Sequence, residues 1–453
     1  GLFVDFDLVR PLGSAAGVTG FIQRMDFRMF RALATRFDIP SGSRWRVAVA
    51  LLTGWMWATS GDLCAGDWPQ ILGPNRDGVA VGETLPDKLP QGGLKRAWQV
   101  DVGEGFAGPA VAGDRVVLFH RDESGERLDA FESATGKPAW SRSFPSTYRG
   151  TIADDNGPRC VPILHAGAVY AYGASGNLHC VDLATGKPRW SRTLAKDCGA
   201  PDGYFGAGAT PIIAGDRLLV NVGGKSGQGL VAVSLKDGKT VWSATDEQAS
   251  YSAPVLAEID GGPAALFVTR LNLVAVRPSD GTVLFTSPFG ARGPTVNGAS
   301  PLVLGDRIFL TASYGIGARW MKVAGKSVET VWDDDAILSS QYTTPVRAGN
   351  LLYGIDGRQD VGTARLRCVD PAKQKVLWSQ EDFGMATLIA AGDKLLALKT
   401  DGTLSLVAAD PSRYRSLGEA EAFTSTTRAL PALSGGRLFA RDTRVLRCFD
   451  LTR

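Results

Sequence analysis

The segment SGNLHCVDLATGKPRW, residues 175–190, is one copy of a pattern that recurs along most of the chain. A leucine is followed twelve residues later by an aromatic at Leu128/Trp140, Leu178/Trp190, Leu230/Trp242, Leu273/Phe285 and Leu366/Trp378, and Trp320 stands in for the leucine before Trp332. Each copy reads as a short apolar strand, a turn and a returning strand that carries the aromatic. The TGK or DGK of these copies places Gly136, Gly186, Gly238 and Gly281 where a hairpin turn needs positive φ.

A second hairpin lies upstream of each copy: GPAVAGDRVVLF, ATPIIAGDRLLV, ASPLVLGDRIFL, TTPVRAGNLLYG and LPALSGGRLFA. Proline opens the first strand at 109, 162, 211, 254, 301, 345 and 431, and the seventh copy keeps only the turn, in LIAAGDKLLAL. A proline has no N–H for a ladder, so these first strands are predicted to be sheet edges. The two hairpins together make a four-stranded antiparallel unit, present eight times.

Repeated four-stranded units at this spacing predict an all-β, eight-bladed β-propeller, because closing the ring removes the long edges that an open stack would expose. The last unit ends at LRCFDLTR without a fourth strand, while LKRAWQVDV at 94–102 is a strand with the aromatic but without a unit. The N-terminal strand is therefore expected to complete the last blade and close the ring.

Composition agrees with a turn-rich globular protein: 44% hydrophobic, 21% charged and 55 glycines. A formal net charge of +3 supplies no basic face, so nucleic acid is excluded as a partner. Arg44 and Arg46 precede the apolar run VAVALLTGWMWATS and then LCAGD, the order of a secretory signal with cleavage near Ala65 or Gly66. The domain reading is an extension over 1–43 (with Met25 or Met29 as alternative starts), a signal peptide over 44–66, a lead segment over 67–93 and the propeller over 94–453. The protein is expected to be periplasmic or secreted, and a monomer; peripheral membrane association is compatible with that reading.

Cysteine and alanine alternate at one strand position, as Ala130, Cys180, Ala232, Ala275, Cys368 and Cys448, which is how a small buried hydrophobe behaves. These cysteines are expected to be free thiols, whereas Cys160 and Cys198 are spaced so that they could bridge. His120, His165 and His179 fall in strands or hairpins and suggest no metal site.

On the D-x-x-TGK-x-x-W and P-x-x-x-GD-R motifs the chain resembles the pyrroloquinoline-quinone-type (PQQ-like) propeller repeat family. That family includes quinoprotein alcohol dehydrogenases and the propeller lipoprotein of the outer-membrane β-barrel assembly machine. DWPQILGPNRDGVA, residues 67–80, also looks like the opening of secreted members. The resemblance implies two functions. One is a binding or scaffolding module of the cell envelope, with no cofactor. The alternative is a PQQ-dependent dehydrogenase of alcohols or sugars, which would hold the quinone near the axis with Ca²⁺, an acidic base, a tryptophan floor and commonly a vicinal disulfide.

No two of the six cysteines are adjacent, no Cys-x-x-Cys-His is present, and the tryptophans are almost all used by the repeat or the signal region. The binding reading is therefore preferred and the enzyme question stays open. If the alternative holds, Asp154, Asp155 and Asn156 of ADDNGPR are the oxygen ligands suited to Ca²⁺. If the module binds, the loops joining one blade to the next converge around the axis on one face. They would present Arg159, Tyr204, Phe205, Tyr251, Asn297, Gln341, Tyr342 and Arg428 to an envelope protein or a small ligand.

Overall fold

The second and third strands of each unit are near-continuous apolar runs, which is what strands covered on both faces require. Val116–Phe119 and Leu395–Leu398 are examples, and both are buried. The computed structural model describes residues 66–452 except 151, 153, 154 and 294. The extension, and the signal segment up to residue 65, lie outside the described residues. Eight four-stranded antiparallel sheets form an eight-bladed β-propeller with a single four-residue α-helix, Leu194–Asp197, among the described residues. No helix there is long and apolar enough to cross a membrane.

Blade 1 consists of Ala110–Ala112, Arg115–Asp122, Gly125–Glu132 and Pro138–Phe144, in order from the axis outwards. The next six blades repeat that order. In blade 8 the strand Lys95–Asp101 pairs antiparallel with Val445–Asp450 and supplies the fourth, outermost place, with Trp98 opposite Cys448. The seven prolines each immediately precede a first strand, so their missing N–H falls outside the ladder.

The repeat's two most visible residues hold successive blades together. The indole N–H donates to a carbonyl in the next blade at Trp98–Ser133 (3.0 Å), Trp140–Leu183 (2.8 Å), Trp190–Leu235 (3.0 Å), Trp242–Pro278 (2.8 Å), Trp332–Pro371 (2.8 Å) and Trp378–Asp410 (2.8 Å). The turn glycine of the next blade lies against the same ring: a Cβ on Gly136 (φ 71°) would stand 2.7 Å from Trp98. Each outermost strand also carries a one-residue bulge beside the aromatic position, as between Ala130 and Phe131 or Cys180 and Val181.

Blades 4 and 7 lack the tryptophan. Blade 4 uses Phe285, opposite Ala275. Blade 7 has Gly418 opposite Leu406, and Leu89 of the lead segment packs there, its N–H donating to Leu417 O (3.1 Å). Leu85 and Leu89 belong to the same apolar cluster as Leu404 and Leu406.

Candidate functional site: the axial channel and its loop face

The lead segment occupies the propeller's channel. Asp67 accepts from the Gly113 N–H (2.9 Å) at the inner hairpin turn of blade 1, and Trp68 bridges Val111 in the first strand of that blade. Pro69 O then accepts from Leu164 N (2.8 Å) in blade 2. Farther along, Gly78 O and Ala80 N make 2.8 Å bonds to Ala390 in blade 7, and the Glu83 carboxylate accepts from Gly435 N (2.6 Å) and Gly436 N (2.8 Å) in blade 8. The segment thus ascends from the inner-turn side, reverses and descends.

Arg76, in the left-handed region at φ 59°, lies near that reversal and is buried. Its guanidinium donates to Pro254 O (2.7 Å), Thr210 O (3.4 Å) and Pro211 O, carbonyls at the entries to the first strands of blades 3 and 4, and to Gln70 Oε1 (2.9 Å) within the lead segment. Burial pushes Arg76 down to about 9, so it stays charged at neutral pH. Gly78 is required beside it, since a Cβ would come within 2.5 Å of Val346 in blade 6.

Above this plug, the loops between blades form a continuous girdle. The Arg159 guanidinium lies 5.1 Å from the Phe106 ring centre, and Arg428 lies 5.6 Å from the same ring, so the blade 1–2 and blade 7–8 junctions meet there. Arg159 is also an electrostatic neighbour of Tyr251, whose N–H donates to Asn297 O (3.0 Å). The next residue, Gly298, abuts Tyr342; a Cβ there would stand 2.9 Å from the Tyr342 backbone. Tyr342 in turn has Arg428 as its electrostatic neighbour.

Most of these side chains brace the girdle instead of facing outwards. Arg159, with its side chain 7% exposed, is ion-paired to Asp155 (2.9 Å). Tyr251 Oη accepts from Phe205 N (2.7 Å), and the two rings pack edge to face at 5.5 Å. Burial pushes Tyr251 and Tyr342 each up to about 12. Gln341 donates to Tyr314 Oη (3.0 Å) and Asp360 (2.9 Å) and accepts from Gln359 N (2.8 Å), while Tyr342 donates to Gln359 Oε1 (2.7 Å). Asn297 is buried, its amide N–H groups donating to Thr269 O (2.8 Å), Arg270 O and Phe289 O (both 3.3 Å). Tyr204, 46% exposed, and Arg428 are the outward pair. Arg149, which the sequence reading did not single out, is exposed in the blade 1–2 loop and donates to Tyr148 O (3.0 Å).

The quinone and Ca²⁺ site implied by the dehydrogenase alternative does not fit the described residues. Asp154 lies outside them. Both oxygens of Asp155 accept hydrogen bonds, from Gly105 N (3.0 Å) on one and from Gly157 N and Arg159 (both 2.9 Å) on the other. Asn156 Oδ1 accepts from Gly150 N (3.0 Å). No group of three metal-ligating side chains occurs among the described residues, and the channel is filled by residues 67–83.

Cys160 and Cys198 do not bridge. Both are free and buried in the same apolar cluster, and burial pushes the Cys160 thiol up to about 12. Nearby, Glu126 is fully buried and accepts from Ala174 N (2.6 Å); burial lifts it to about 7 despite the neighbouring Arg121 and Arg159.

Blade number, strand order and the PQQ-like repeat define an eight-bladed propeller of the quinoprotein-like class. The family profile described as outer membrane protein assembly factor BamB matches residues 154–380, half of the chain. The chain belongs to that PQQ-like β-propeller family. BamB from Moraxella catarrhalis is similar over 79% of this chain and 99% of its own, at 18% identity and a TM-score of 0.58. Quinohemoprotein alcohol dehydrogenase from Comamonas testosteroni is similar over 86% of this chain and 81% of its own, at 15% identity and a TM-score of 0.50. The computationally designed Ika8 protein is similar over 79% and 99%, at 11% identity and a TM-score of 0.53. These likenesses share the fold. No curated protein matches the sequence.

Proposed function

We propose that this chain is an exported propeller that acts as a binding or scaffolding module of the cell envelope, docking a protein partner on its axial loop face. The observation that carries the reading is the girdle. Seven blade junctions, distant in sequence, meet around the axis and leave Tyr204 and Arg428 exposed on a braced platform. Aromatic and arginine side chains held rigidly are what protein-contact hot spots favour, because little rotamer freedom is lost on docking. Membership of a family described as an outer membrane assembly factor supports an envelope setting. Arg44, Arg46 and the apolar run at 47–60 support export, with a mature start near Gly66 or Asp67.

The plug supports binding over quinone chemistry, since it occupies the axial space with the chain's own residues. The test is cross-linked capture of a partner from the native envelope, identified by mass spectrometry. Truncating Arg428 or Tyr204 to alanine should weaken capture by about 1–4 kcal/mol. Replacing Asp154 and Asp155 should leave capture unchanged. Turnover of alcohols or sugars with added PQQ and Ca²⁺, lost in the Asp154/Asp155 variant, would overturn the proposal. N-terminal sequencing that found residues 30–60 retained in the native host would overturn export.

A further inference from the structure

A cavity with a volume of about 500 Å³ lies at the junctions of blades 2, 3 and 4, on the girdle. That is within the size range of small-ligand sites, roughly 300–1,000 Å³. Tyr204, Tyr251, Arg270, Arg292 and Asn297 contribute to its lining, with Asp202 as its carboxylate.

Arg270 is half-buried and fixed. Its guanidinium donates to Ala291 O (2.7 Å), Thr295 Oγ1 (3.0 Å) and Gly293 O (2.6 Å), which shapes the loop that carries Arg292. Those acceptors are neutral and take three of its five N–H groups, so its charge stays uncancelled and its Nε–H remains without a partner among the described residues. Arg292 is exposed on the same loop. Neither arginine forms an ion pair among the described residues, although ion pairs occupy many of the other arginines. Two cations against Asp202 leave the cavity with one uncompensated positive charge, which a monoanion balances better than a dianion.

Asn297 adds a hydrogen-bond preference. Its amide N–H groups face three carbonyls, so the opposite orientation would set oxygen against oxygen. Its Oδ1 is buried and receives no hydrogen bond among the described residues. Tyr204 and Tyr251 supply ring surface beside these polar groups.

We propose that this cavity is a binding site for a carboxylate-bearing ligand, anchored by Arg270 and Arg292 and contacted by the tyrosine rings. The site shares Tyr204 with the docking face and does not include Arg428. A carboxylate of this kind can come from a free hydroxy acid or from an acidic side chain of a docked peptide. Titration calorimetry on the folded protein, with D-galacturonate in one arm and a capped Gly-Glu-Gly peptide in the other, separates the two sources. One of these probes should bind, its neutral counterpart (D-galactose or the capped Gly-Gln-Gly peptide) should not, and Arg292→Gln should weaken binding about tenfold, the loss of one charge-assisted contact. Arg292 is exposed and its side chain makes no hydrogen bond among the described residues, so that variant keeps the fold. Arg270→Gln should weaken binding at least as much. The proposal is overturned if neither acid binds, if a neutral counterpart binds as well, if inorganic phosphate binds more tightly than both acids, or if Arg292→Gln binds like the wild type.

Discussion

At the rim of this propeller six of the eight blades solve the same problem in the same way, whereas at the axis almost nothing repeats. Six indoles reach from one blade to a carbonyl of the next, and a turn glycine lies flat against each of the first four. The axis is filled by a single irregular segment whose contacts to successive blades differ in kind: a bridge at Trp68, a guanidinium at Arg76, a glycine contact at Gly78 and a carboxylate at Glu83. Repeated contacts distribute ring closure over many equivalent interfaces. A unique plug concentrates it in a few groups. The two regions meet at blade 7, where Leu89 takes the place that a tryptophan fills elsewhere.

The sharpest way to break the comparison is at the closing strand. Trp98→Ala removes a buried indole from the blade 8–1 interface, and the loss should be about 3–5 kcal/mol in denaturant unfolding. A Trp98→Ala protein that melted like wild type would refute the role given to the rim. At the axis, Arg76→Ala leaves the Pro211 and Pro254 carbonyls without their donor; the expected loss is about 1–3 kcal/mol. If Arg76→Ala cost nothing, the plug would be an occupant of the channel and not a support.

A pH measurement sharpens the boundary between the regions. Glu126 has its folded value raised to about 7 from an ordinary 4.5, so between those limits the folded state holds a proton that the unfolded state has released. Glu126 should therefore contribute a fall in stability as pH rises through that window, by at most about 1.4 kcal/mol per pH unit, opposed by His179, whose burial holds it down to about 4, up to that residue's ordinary value of 6.5. Glu126→Gln should therefore gain stability relative to wild type as pH rises through the window; a variant whose curve runs parallel to wild type would contradict the burial of that carboxyl. The smallest effect belongs to the cysteines. Cys180, Cys368 and Cys448 are buried opposite the rim aromatics, so thiol reagents should label none of them before unfolding. A disulfide among them in mass spectra would undo the strand alignment.

What the sequence made legible follows the same division. The Leu-to-aromatic spacing, the TGK turns and the strand-opening prolines mark the repeat because each recurs in at least four of the blades. The orphan strand around Trp98 was legible for the same reason. The plug was not. DWPQILGPNRDGVA occurs once, and nothing local says that its arginine will meet carbonyls from Thr210 to Pro254. Eight girdle residues could be grouped from their places at blade junctions, but their orientation could not. Arg159 and Gln341 look like binding groups in sequence, yet they are spent on Asp155, Tyr314 and Asp360. Cys160 and Cys198 looked like a pair because they flank one blade, but packing in an apolar cluster satisfies them without a bond. Arg270 and Arg292 gave no signal, since the cavity between them depends on three loops.

The central claim is that the rim holds the ring while the axial face does the binding. It is tested most directly by measuring thermal stability and partner capture on the same two variants, Trp190→Ala and Arg428→Ala. Trp190 donates across the blade 2–3 interface, whereas Arg428 is exposed and rests on Phe106. The account predicts that Trp190→Ala lowers the melting temperature strongly and keeps its capture affinity while folded. Arg428→Ala should melt with wild type and lose about 1–4 kcal/mol of capture. An Arg428→Ala protein that captured its partner undiminished, or a Trp190→Ala protein that lost capture while still folded, would contradict it.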